Sequence, residues 1–472
     1  MKGGAGFHVL DKDLRRISHA EAAQAHAFRP VWRLGLGVLA VVGALLLVLG
    51  LWSDAPPVLT LGTGLIVAGW LGMAIGSNDV ANSLGPAVGA GAIRVLPGLI
   101  LVAVAGLAGA LLAGGAVTQR LASGLHDNAA LVAGGQGATV MVAALVAGAS
   151  WITLASGIGL PVSTSHSIVG GIAGASAAAA GLGAVDWSTL GTITAVWVMT
   201  PLVAGLVAGV LLILLRTHLI EVPDRARAAR RWLPWLVAMM TALFSAYVLR
   251  LADVAAPVAR VAAVAGLGGA GFVLTLRAVQ AETRRNPDRP SVKRLLRPAL
   301  VMAVAIMGFA HGANDVGNIA GPLSVILRPG AAVDAGTAPL AVLLGGGLMI
   351  GAGALLFGRR LVGLVGSGIT RLNAGRAFCV SLATATTVIA ASSAGLPVST
   401  THVAVGGIFG VGFAREWRDR RRDRSREALP EEELRRRVLI RRSHVLTITA
   451  AWLVTVPVTA TLAAAVTAVL LP

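Results

Sequence analysis

The sequence predicts an all-α, polytopic integral membrane protein built from two inverted five-segment repeats that contain broken or re-entrant helices. Three observations predict it. The first is composition: the 472 residues are 56% hydrophobic and only 13% charged. The second is run length. Leu34 to Leu51, Leu96 to Val117 and Thr192 to Leu215 carry no charge, and such runs approach or exceed the roughly 20 residues that take a helix across a bilayer. So many of them cannot hide in one soluble core, which excludes a large soluble protein with buried helices. The third is internal repetition. IGSNDVANSLGPAVG (Ile75 to Gly89) is echoed by HGANDVGNIAGPLSV (His311 to Val325), and GLPVSTSHSIVGG (Gly159 to Gly171) by GLPVSTTHVAVGG (Gly395 to Gly407). The interval from Asp79 to Asp315 equals that from Pro161 to Pro397. A third echo pairs TAVWVMTP (Thr194 to Pro201) with TAAWLVTVP (Thr449 to Pro457).

In chain order, residues 1–58 are a basic tail and an extra transmembrane helix near 34–52. The tail is too long for the n-region of a secretory leader and no small-residue cleavage site follows, so the helix is expected to be retained. The first transport repeat, 59–215, threads as segments 59–93, 95–115, 132–156, 161–182 and 188–215. Residues 216–298 hold basic loops and two connecting helices near 233–251 and 256–276. The second repeat, 299–472, threads as 299–327, 337–357, 377–395, 397–414 and 444–471, with a basic loop at 415–442.

A net charge of +18 raises nucleic acid as a partner, but the placement of the charge argues against it. All Lys and Arg except Arg120, Arg250, Arg260 and Arg328 fall in one set of loops. That is the positive-inside pattern, and it makes those loops and the N-terminus cytoplasmic. The extra helix then starts the first repeat outside. Five crossings and two connecting helices start the second repeat inside, so the halves are inverted. Secondary transporters share this architecture, with the substrate site near the midplane. The 415–442 loop opens REWRDRRR and turns acidic at Glu431 to Glu433. It reads as a solvated charged helix, with an anionic-lipid or partner site as the alternative. Cys379 is the single cysteine, which excludes an intrachain disulfide.

Of the acidic residues only Asp79 and Asp315 fall inside apolar segments, and of the histidines only His166, His311 and His402. A carboxylate in a bilayer is costly unless paired, so both aspartates are functional candidates. The competing reading is a tether between helices. Asn78 and Asn82 share a helix face beside Asp79. Gly76, Gly85 and Pro86 predict an interruption there, freeing carbonyl oxygens for a hard cation. Asn314, Asp315 and Asn318 repeat the arrangement, with Gly312, Gly317, Gly321 and Pro322 as breakers.

The two GLPVST segments predict an anion receptor. Pro161 and Pro397 suit the first turn of a helix. Ser163, Thr164 and Ser165, and likewise Ser399, Thr400 and Thr401, then place hydroxyls where the first amides lack internal acceptors and the dipole is positive. Such a site suits phosphate or a similar oxyanion. The bland alternative is local capping by Ser and Thr. His166 and His402 are expected to orient a hydroxyl or pack between helices, and no HxxxH or Cys/His cluster supports a metal site. His311 has no counterpart, since Ile75 occupies the matching place. It is the candidate for proton coupling.

With GSNDVAN, GANDVGN, GLPVSTSH and GLPVSTTH at matched spacing, the chain resembles the inorganic phosphate transporter (PiT) family over roughly 59–471. The resemblance implies import of phosphate with sodium or protons, some members moving sulfate. It implies substrate and cation roles for Asp79, Asn82, Asp315 and Asn318, and an anion held by the PVST segments. Many sodium-coupled relatives carry a membrane glutamate downstream of each aspartate motif. Here Gly106 and Ser381 stand in those places, so the coupling ion stays open between sodium and proton.

The function expected is therefore a secondary active symporter in the cell membrane that imports inorganic phosphate by alternating access. Partners are phosphate, the coupling ion and the bilayer, with no cofactor beyond that ion. A homo-oligomer is compatible with the sequence. A sulfate permease of the same fold and a non-transporting scaffold or receptor are the alternatives. An enzyme is not expected: no nucleophile–base pairing, phosphate-loop motif or metal-ligand set is present.

Overall fold

The computed structural model describes residues 31, 33–46, 49, 57–125, 135–157, 162–254, 256–328, 339–368, 372–423 and 442–471. Among them the regular structure is helical, and ten helices are long and apolar enough to cross a membrane. The reason is that lipid offers no partner for backbone N–H and C=O groups, which a helix satisfies within itself. The elements are α1 (Arg33–Leu46), α2 (Pro57–Gly89), α3 (Val95–Ala113), α4 (Gly115–Ser123), α5 (Gly137–Gly157), α6 (Thr164–Ala180), α7 (Trp187–Leu215), α8 (Arg225–Leu251) and α9 (Pro257–Arg285). They continue with α10 (Arg297–Asp315), α11 (Gly317–Leu327), α12 (Leu340–Gly368), α13 (Ala374–Ser393), α14 (Thr400–Asp423) and α15 (Arg442–Leu470). Ser163, Asp186, Asp224 and Asn373 start α6, α7, α8 and α13, each side chain accepting an amide of the first turn.

The expected interruption near Asp79 is not there. α2 runs unbroken from Pro57 to Gly89. Gly76 serves packing instead: a Cβ there would lie 1.8 Å from the Ile350 carbonyl oxygen of α12. The matching segment divides at Val316, between α10 and α11, but Val316 keeps helical angles (φ −59, ψ −32). Its amide still donates to the Gly312 carbonyl, so this is a local irregularity and not an unwound stretch. α4 was not anticipated. It packs against α11, where Gly317 and Gly321 make room for Val117 and Leu121. Pro161 and residues 424–441 of the basic loop lie outside the described residues.

Packing between helices is reciprocal. α2 lies along α12 and α3 along α10, while α6 lies along α15 and α7 along α14. Backbones touch at small residues. A Cβ on Gly312 would fall 1.8 Å from the Gly106 carbonyl oxygen, and one on Gly410 1.8 Å from that of Gly205. Such close approach is what holds helices together in lipid, where no hydrophobic force acts between them. α8 and α9 pack on each other and leave Trp235, Leu243, Val258 and Leu274 exposed, as lipid-facing side chains are. α1 sits over α2 and α5, its Gly35 against Trp70 and Thr153.

Candidate functional site

The aspartate motif of each half meets the hydroxyl segment of the other. On α2, Asn82 Nδ2 donates to Asp79 Oδ1 (3.2 Å) and to Thr401 Oγ1 (2.9 Å). Thr401 Oγ1 donates in turn to Asp79 Oδ1 (3.4 Å). On α11, Asn318 Nδ2 donates to Ser165 Oγ (3.3 Å). Asn82 and Asn318 hold matching places in their motifs, as do Ser165 and Thr401, so one contact is made twice. The Thr164 hydroxyl also reaches Asp79, and Asp79 lies within electrostatic range of both Asp315 and His311. The two aspartates therefore face one shared centre.

Around Asp315 the donors are denser. His311 Nδ1 lies 2.7 Å from Asp315 Oδ2, one helical turn away, with both side chains buried. Asn314 Nδ2 donates to Asp315 Oδ1 and to the Val398 carbonyl (2.7 Å). Asn314 Oδ1 accepts from the Val398 amide (3.0 Å) and the Ser392 hydroxyl (3.4 Å). Asn314, expected as a cation ligand, thereby also clamps the segment leading into α14. Ser165 Oγ donates to the same Val398 carbonyl (3.0 Å).

The hydroxyls divide by role. Ser163 and Ser399 cap their own helices, accepting from the His166 and His402 amides (3.3 Å each). Each hydroxyl keeps its own O–H to donate while it caps. Thr164, Ser165, Thr400 and Thr401 stand beyond the caps, and the first amides of α6 and α14 have no acceptor within their helices. Thr164, Ser165 and Thr400 are buried; Thr401, Asn78 and Asn82 are half-buried. The Asp79 corner is thus the more open one, and Asp315, Asn318 and Ser165 are sealed at 1% exposure or less.

Carbonyls without their i+4 donor arise by another route than the expected break. Pro86 and Pro322 sit inside α2 and α11. A proline has no N–H to give the carbonyl four residues back, which here means Asn82 and Asn318. Each site asparagine therefore carries a backbone oxygen that lacks its i+4 amide donor.

His166 and His402 pack against each other edge to face, ring centroids 4.5 Å apart. Trp197 stacks on His166 at 3.7 Å and donates from Nε1 to the Pro397 carbonyl (2.8 Å). Sequence reasoning missed Trp197 and Ser392. The signal for Trp197 was its place in the third echo, TAVW against TAAW. Gly106 lines a small apolar niche together with His311, Val80, Val102 and Ile350, so the place where many sodium-coupled relatives are expected to carry a glutamate lies beside His311. Ser381 is buried on α13. Among the described residues no cluster of three or more His, Cys, Asp or Glu could hold a metal ion.

A model of the phosphate transporter family matches residues 75–463. A Helicobacter pylori (strain J99) protein named as a phosphate permease is 36% identical over 431 residues, covering 88% of this chain and 79% of that protein. A chloroplastic inorganic phosphate transporter of Arabidopsis thaliana is 33% identical over 428 residues, covering 82% and 68%. A solved structure titled the sodium-dependent phosphate transporter superposes with a TM-score of 0.74 at 30% identity, covering 86% of this chain and 99% of that one.

Proposed function

The chain belongs to the phosphate transporter family, and we propose that it is a secondary active symporter that imports inorganic phosphate on a cation gradient by alternating access. The observation that carries the reading is the doubled contact, Asn82 to Thr401 and Asn318 to Ser165. It ties each aspartate motif to the other half's hydroxyl segment. Two halves related in this crossed way, inverted in the membrane, would exchange environments as one side opens and the other closes.

The anion sits between the starts of α6 and α14, on the hydroxyls of Thr164, Ser165, Thr400 and Thr401 and the first amides of both helices. Asp79 and Asp315 supply the countercharge site. A divalent anion beside two carboxylates is repelled unless cations or protons accompany it, and that repulsion couples the ligands in a low-dielectric core. Sodium would take Asp79, Asn78, Asn82, Asp315 and Asn318, including the proline-freed carbonyls. A proton would reside on the His311–Asp315 pair. Phosphate is preferred over sulfate because it retains a proton at neutral pH and can donate to a carboxylate, which sulfate cannot. The protein resides in the cell membrane with its N-terminus cytoplasmic.

The test is labelled-phosphate uptake into proteoliposomes, with the sodium and pH gradients imposed separately and sulfate as competitor. Uptake that follows sodium assigns coupling to the asparagine–aspartate cluster, and uptake that follows pH assigns it to His311–Asp315. Uptake driven by neither gradient, or equal inhibition by sulfate, would overturn the corresponding part of the reading.

A further inference from the structure

Trp197 turns into the protein from a helix whose neighbouring residues face lipid. It is 7% exposed, whereas Val198 and Met199 are 60% and 54% exposed. Its indole does two things at once. Nε1 donates to the Pro397 carbonyl (2.8 Å), two residues before the Ser399 cap of α14. Its face lies on the His166 ring, with centroids 3.7 Å apart and planes 28° from parallel. His166 meets His402 edge-on at 4.5 Å. Both histidines are the third residues of their helices, so the three rings run directly behind the first turns of α6 and α14. Val398, next after Pro397, is fixed by Asn314 and Ser165.

We infer that Trp197 is a positioning residue: its bond to Pro397 and its stack on His166 fix the gap between the hydroxyl-bearing starts of α6 and α14, and so set which tetrahedral oxyanion that gap grips. The inference rests on the phosphate reading above. Donors that are held at a fixed spacing before binding discriminate by size, because a poor fit leaves them unpaired. Arsenate has the charge and protonation of phosphate but longer bonds to oxygen, so it probes the gap alone. Without the indole N–H the Pro397 carbonyl loses its donor and the segment is free to shift.

The experiment uses the full chain in proteoliposomes with phosphate and arsenate. W197F keeps an aromatic ring against His166 and removes the N–H. The KM for phosphate should rise about tenfold, the loss expected for an unpaired buried acceptor, while Vmax is largely kept and the preference for phosphate over arsenate falls. An unchanged KM and preference, or a lower Vmax at constant KM, would overturn the inference. Should W197F fail to reach the bilayer, the pair H166A and H166F carries the test. The alanine should raise KM and the phenylalanine, which restores a stacked ring, should recover most of the loss; equal KM in both overturns the idea. Wild-type uptake with an indifferent W197F sinks this inference alone. A wild-type protein that takes up no phosphate sinks it together with the reading beneath it.

Discussion

Asp79 and Asp315 carry the proposed coupling, and their surroundings differ. Asp79 sees amide and hydroxyl donors from Asn82, Thr401 and Thr164, in a corner that is half open. Asp315 is sealed, with His311 and Asn314 on its two oxygens. In the proposed mechanism, removing either charge removes the site for the accompanying cation or proton. D79N and D315N should each cut phosphate uptake by roughly 100-fold, the equivalent of about 3 kcal/mol for breaking a buried charged arrangement. Membrane insertion should be intact on an immunoblot of the membrane fraction. Normal transport in both variants would remove the basis of the model. These side chains were legible in the sequence because a charged or amide group in an apolar span needs a reason to be there. Trp197 was not, since an aromatic residue is at home in a membrane helix. Nor was the clamp made by Asn314, because which atoms an amide meets is set by the helix opposite it.

At the scale of the element, glycine is the informative residue. Read along one strand of text, GSNDVANSLGP looks like a broken helix. In the fold, α2 is continuous, and Gly76 lies against the backbone of α12. Gly62, also on α2, meets nothing within 4 Å of where its Cβ would be. The same substitution at the two places should act with opposite sign. G62A should raise the thermal midpoint in detergent, by about 0.5–1 kcal/mol of helix propensity. G76A should lower it by about 1–3 kcal/mol, as overpacking does. Scanning calorimetry or a thiol-independent melting assay checks both, and equal effects would show that Gly76 is not a packing contact. The existence of the long helices was legible from apolar run length. The breakers around Asp315 marked the place of the division at Val316, but the short α4 was not legible, because it depends on how α4 and α11 seat against each other.

Across the whole molecule, the halves are joined at the centre and again at the basic face. There the turn of π-helix after α7, Arg216–Ile220, leads to Glu221. Its carboxylate binds Arg216 (2.7 Å) and Arg418 of α14 (2.7 Å), and Arg418 also donates to Thr217 (2.8 Å). Burial alone would raise the Glu221 carboxyl, but Arg216 and Arg418 outweigh it and hold it below its ordinary value of 4.5. A depressed carboxyl stabilises the fold above its unfolded value and loses that contribution as pH falls through the folded one. Wild type should therefore exceed E221Q by about 1 kcal/mol near neutral pH, with the difference shrinking as pH falls below 4.5 and lost once it passes the depressed folded value. A gap that does not narrow at all on acidification in pH-dependent melting would rule out the charge as its source. What the sequence determined by itself was membrane residence, helical class, the doubled motifs and the polar residues that cannot sit in lipid unpartnered. Those follow from local quantities: run length, repetition and the cost of charge in hydrocarbon. Only the tertiary structure decided that each aspartate motif grips the other half's hydroxyls, that glycines are contacts and not breaks, and that a tryptophan braces both helix starts. These depend on which backbone lies opposite which, and no single segment carries that information.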